Sequence, residues 1–125
     1  DPELLDRVVA EGISLEVCPA SNVCLGVYHA PADVPLSTLL EHGAQVALGA
    51  DDPLLFQSRL VDQYAIARDQ GLDDAALAEL ARGSIRASLA SPTSKAAWLA
   101  EVDAWLASPD PAEDSSGNEP AGAAA

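Results

Sequence analysis

The sequence predicts an α/β fold: the C-terminal fragment of a (β/α)8 TIM-type barrel, carrying its last two strands and the helices that follow. Three observations point there. Residues 13–18 and 45–50 are short apolar segments of strand character, set among segments of helical period. Strands alternating with helices imply parallel pairing. The second segment runs into Asp51-Asp52-Pro53, two acids where a strand gives way to a helix, and the C-terminal strand ends of a parallel barrel are where its chemistry is done. Finally, the chain has 125 residues, whereas a barrel needs ~250. Two strands also make no viable sheet by themselves.

Each element follows from local signals. Asp1-Pro2 is a capping acid followed by a proline in the first turn. Leu4, Leu5, Val8 and Val9 then recur at helical spacing, and Gly12 stops the helix. Residues 13–18 alternate as a strand, which Pro19 ends. Residues 20–35, with Gly26, Pro31 and Pro35, read as a long irregular stretch, and loops of that length in compact domains are often functional. Leu36, Leu39 and Leu40 share one face of a short helix stopped by Gly43. After the second strand, Pro53 opens a helix expected to carry Phe56, Leu60, Tyr64 and Ala67 on one face as far as Gly71. Asp73 caps a helix through Leu77, Leu80, Ala81 and Ile85. Ser91-Pro92 repeats the cap-then-proline signature, and Trp98, Leu99, Val102, Trp105 and Leu106 form an i, i+3, i+4 stripe on the last helix.

Composition narrows the partners. Twenty Asp and Glu against six Lys and Arg give a net charge of −14, which repels phosphate backbones and anionic lipid and argues against nucleic-acid or membrane partners. No apolar run approaches the ~20 residues that span a bilayer. Cys18 and Cys24 match neither a zinc-finger nor a redox spacing. They read as reduced thiols of a cytoplasmic protein, with a local disulfide as the alternative. Beyond Ser108 large apolar residues cease, so the expected organisation is a barrel portion over 1–108 and a disordered acidic Pro/Ser/Gly/Ala tail over 109–125.

Asp51 and Asp52 have two readings. As structure, Asp51 is a turn residue and Asp52 the N-cap of the helix begun by Pro53. As function, the backbone turns at the strand end, so both acids can face one pocket mouth. His29 falls in the loop after the first strand, near the expected rim, and reads as a solvent-exposed loop residue. His42 suits a helix C-terminus. Glu16 shares a strand face with Ser14 and Cys18, opposite Leu15 and Val17. It is expected inside the barrel as a hydrogen-bonded structural residue. Ser21 and Asn22 are expected to shape their loop through side-chain to backbone bonds. The tryptophan stripe is expected to pack a helix against the barrel's outside.

Val46-Ala47-Leu48-Gly49-Ala50-Asp51-Asp52-Pro53, preceded by Leu15-Glu16-Val17-Cys18-Pro19-Ala20-Ser21-Asn22, resembles the adenosine deaminase family. That family is a metal-dependent barrel of the amidohydrolase superfamily, and the likeness runs from Asp1 to about Ser108. The resemblance implies that Asp51 ligates a catalytic zinc ion and contacts its hydroxide, and that Asp52 binds a ring nitrogen of the purine. It implies hydrolysis of adenosine or deoxyadenosine, a purine nucleoside substrate, to inosine and ammonia. Adenine or another aminopurine is the alternative substrate, and a non-catalytic remnant the alternative of another class. The family takes its remaining zinc ligands and its proton-delivering glutamate from earlier strands. No His-x-His pair occurs here. Activity is therefore expected to require an N-terminal barrel segment that this chain does not contain.

Overall fold

The structure, a computed structural model, describes residues 1–108. The expected tail, 109–125, lies outside the described residues. Helix α1 (Pro2–Ala10), strand β1 (Leu15–Val17), helix α2 (Pro19–Cys24), a 3-10 turn (Pro31–Asp33), helix α3 (Leu36–Glu41) and strand β2 (Val46–Leu48) come first. Helices α4 (Pro53–Phe56), α5 (Leu60–Asp69), α6 (Asp74–Ala87) and α7 (Pro92–Ala107) follow. The strands pair in parallel, with Leu15 opposite Val46 and Val17 opposite Leu48. Both therefore deliver the chain to the same edge of the sheet.

The two strands are entered by the same device. At the end of α1, Gly12 N–H donates to the Val9 carbonyl and Ile13 N–H to Val8. At the end of α3, Gly43 N–H donates to Leu40 and Ala44 N–H to Leu39. Both glycines are left-handed, at φ 65° and 77°, as this helix stop requires. The repeated geometry feeds β1 and β2 in step. The four predicted caps are all present: Asp1, Asp52, Asp73 and Ser91 accept backbone N–H groups of their own first turns.

The core lies on one side of the sheet. Val17, Val46 and Leu48 turn toward Leu36, Leu77 and Leu80, and Leu36 and Leu80 are fully buried. Burying each such leucine contributes roughly 1.5–3 kcal/mol. Helix α6 reaches the backbone of β2 because residue 83 is glycine: a Cβ there would stand 2.0 Å from the Val46 carbonyl oxygen. Beside it, Leu48 N–H donates to Ser84 Oγ at 3.2 Å. Arg82 of α6 then holds α7 through Asp103 at 2.6 Å.

The structure differs from the sequence reading in five places. The stretch after β1 is not irregular throughout, since it holds α2 and the 3-10 turn. The helix opened by Pro53 is not continuous. Gln57 adopts a left-handed conformation, φ 50°, and the chain restarts at Leu60 with a new phase. The buried face of α5 is consequently Gln63 and Ala67, while Leu60 is exposed. Ser21 makes no side-chain hydrogen bond among the described residues; its hydroxyl is buried and unpartnered. Glu16 is exposed, because the face it shares with Cys18 is not covered by this chain. The tryptophan stripe packs on α6 only in part: Trp98 and Trp105 are about half exposed and line an apolar groove of about 790 Å³ with Tyr64, Leu77, Ile85 and Val102.

Candidate active site

The parallel register sets the site. Gly49 N–H continues the ladder by donating to the Val17 carbonyl at 2.9 Å, so Cys18 and Gly49 leave the sheet side by side. They are close enough that a Cβ on Gly49 would lie 3.0 Å from Cys18 Sγ. Two residues on, Asp51 turns the chain with φ 58°, a left-handed conformation uncommon for a residue with a side chain and best tolerated by Asn and Asp. The turn brings Asp51 beside Cys18, close enough for its charge to act on the sulfur.

Charge and burial act on that sulfur together. Burial pushes the Cys18 thiol above its ordinary pKa. The neighbouring Asp51 carboxylate adds to the rise, the polar backbone of Asp51 opposes it, and Glu16 adds less. Asp51 and Cys18 thus meet at the strand ends, a juxtaposition the spacing alone did not give.

Asp52 is the N-cap of α4. Its Oδ1 accepts from both Leu54 N–H and Leu55 N–H at 2.9 Å, so both readings of this residue meet in one geometry. The cap fixes the carboxyl group while Oδ2 makes no bond among the described residues. Asp51 and Asp52 are both exposed. His29 is exposed in the bend after α2. His42 lies apart, with its Nδ1 2.8 Å from the Thr38 carbonyl at the end of α3.

The group that sequence reasoning missed is Gln63. It is fully buried, and its carboxamide joins the segment after β1 to the segment after β2. Oε1 accepts from Ala20 N–H at 3.0 Å, and Nε2 donates to Ser58 Oγ at 2.6 Å and to the Arg59 carbonyl at 3.2 Å. A polar residue one position before Tyr64 carried no signal while the helix was read as unbroken from Pro53.

Among the described residues, no three His, Cys, Asp or Glu side chains converge as a metal site. The residues present do not by themselves make the zinc centre that the resemblance implies, and Asp51 offers it a single carboxylate.

These features define a class: a portion of an α/β barrel with an acid pair at the strand ends. A family model described as adenosine deaminase matches residues 1–105, and the chain belongs to that family. It is 59% identical over 107 residues to a putative adenosine/adenine deaminase of Streptomyces coelicolor, covering 85% of this chain and 31% of that one. It is 39% identical over 104 residues to an adenine deaminase of Mesorhizobium japonicum, covering 82% of this chain and 32% of that one. The crystal structure of an adenine deaminase from Arthrobacter aurescens superposes with a TM-score of 0.81 at 37% identity, over 85% of this chain and 33% of that one. The chain therefore spans about a third of the length of the relatives it matches.

Proposed function

We propose that this chain supplies the acid pair of a zinc-dependent aminopurine deaminase, with adenosine or deoxyadenosine as substrate, and that it acts only when joined to the rest of its barrel. The observation that carries the reading is the Asp51-Asp52 turn. It stands at the C-terminal strand ends, where barrel chemistry sits, in a backbone conformation that favours Asp. In this reading Asp51 is the metal ligand and catalytic carboxylate, completed by ligands from other strands. Asp52 binds the purine, its Oδ1 occupied by the helix cap and its Oδ2 meeting a ring nitrogen. Overall, water replaces the exocyclic amino group and ammonia leaves.

A second reading keeps the site and changes the substrate to adenine. It is supported by the similarity to adenine deaminases in sequence and structure. Assays with adenosine and with adenine separate the two.

The test uses a complete barrel: this chain grafted in place of the matching third of the Streptomyces coelicolor relative, with zinc supplied. The graft is expected to release ammonia from one of the two substrates. Asp51→Asn, which keeps the turn but loses the charge, is expected to lower bound zinc and to reduce turnover by more than about 100-fold, the upper end for groups one shell outside a metal. A folded graft that deaminates neither substrate, or an Asp51→Asn graft with full zinc content and rate, would sink the reading.

A further inference from the structure

Gln63 does something that neither the core nor the acid pair requires. The core of this chain is otherwise apolar apart from Ser21 and Ser58, and a fully buried carboxamide is costly unless every polar atom is satisfied. Here each is, and every partner lies beside the rim. Ala20, the donor to Oε1, is two residues from Cys18, which leaves the sheet beside Gly49, two residues before Asp51. Ser58 and Arg59, the acceptors from Nε2, form the corner where α4 ends, and α4 is the helix that Asp52 caps. One side chain therefore ties the segment that follows β1 to the corner that follows α4, the helix opened by the Asp51-Asp52 turn.

We infer that Gln63 is a positioning residue for the acid pair, fixing the spacing between the β1 and β2 rim segments so that Asp51 and Asp52 share one pocket. This rests on the deaminase reading above. A contrast within α5 sharpens it. Gln70, the C-cap of the same helix, is a second glutamine clamp, donating from Nε2 to the Pro31 carbonyl at 2.6 Å, but it holds the 3-10 turn and not the segments that Gln63 joins. The two glutamines separate the holding of structure from the setting of the site.

The experiment measures kcat, KM and zinc content in the complete barrel, at a temperature where every variant is folded. Gln63→Leu is expected to lower kcat about a hundredfold with zinc retained, the scale of a misplacement near 1 Å, while Gln70→Leu keeps the wild-type kcat. Gln63→Glu keeps an acceptor for Ala20 N–H but loses the donor to the Arg59 carbonyl, and is expected to recover only part of the loss. Should Gln63→Leu fail to fold, Ser58→Ala removes one of the two bonds to the α4 corner and is expected to lower kcat up to about tenfold, the scale of one hydrogen bond. A wild-type graft that is active while Gln63→Leu, or Ser58→Ala in its place, matches Gln70→Leu in kcat overturns this inference alone. A wild-type graft that is folded and inactive overturns the deaminase reading and this inference with it.

Discussion

The two faces of the small sheet differ in completeness. On the helix side, Val17, Val46 and Leu48 are buried against Leu36, Leu77 and Leu80. On the other side, Glu16 is exposed and Ala47, Cys18 and Gly49 are only partly covered. The rim beyond that open side also displays Leu54 and Leu55, at 92% and 69% exposure. Two exposed leucines on a four-residue helix make little sense for a finished surface, and good sense for a barrel mouth whose remaining strands lie elsewhere. The contrast is that of a sheet whose outer face is covered by the helices of this chain and whose inner face is left open. The stability of the chain should therefore be set on the helix side and its chemistry on the open side.

The sharpest way to break this division is at Gly83. Replacing it with alanine forces a methyl group onto the Val46 carbonyl. That oxygen belongs to a strand, so α6 itself must move, and it would draw Leu80 and Ser84 with it. Gly83→Ala is expected to lower the unfolding free energy by about 1–3 kcal/mol, the usual range for overpacking, as read by urea denaturation of the chain. An unchanged midpoint would mean that α6 is not seated on β2.

A smaller effect tests where structure and site overlap. Asp52→Ala leaves Leu54 N–H and Leu55 N–H without their acceptor and is expected to cost about 1 kcal/mol. Asp52→Asn caps about as well as Asp and should restore stability. In the complete barrel the same Asn variant is still expected to lose about ten- to a hundredfold in kcat/KM, since the hydrogen bond to a charged group is gone. Recovery of both properties by Asn would reduce Asp52 to a cap.

What could be read from the sequence follows the same division. Helix caps, glycine stops and the faces of α3 and α6 depend on residues within a few positions of one another, so Asp73, Gly43 and the Leu77–Leu80 pair disclosed themselves. The acid pair was legible because Pro53 marks the strand-to-helix change. The phase of α5 was not, because it depends on the left-handed turn at Gln57, which no glycine announces. Gln63 was hidden for the same reason: its partners Ala20 and Ser58 come together only when both strands are in register. The exposure of Glu16 depends on strands outside this chain and could not be read from its neighbours at all.

The finest test concerns the contact that joins the two rim segments. Cys18 is partly covered and its thiol pKa is raised, first by burial and then by the Asp51 carboxylate, while Cys24 is exposed. A raised pKa lowers the thiolate fraction at a given pH, and the thiolate is the species that reacts. At about pH 8, near the ordinary cysteine pKa, iodoacetamide is expected to modify Cys24 faster than Cys18. Asp51→Asn removes the second cause but leaves the burial, so the Cys18 pKa should fall part of the way and its rate should rise relative to Cys24. The Asn side chain tolerates the same left-handed backbone, so a change in rate reports the charge rather than a collapsed turn. If the ratio of the two rates does not move, the Asp51 carboxylate does not stand beside the sulfur, and the geometry that joins the two strand ends is wrong at its centre.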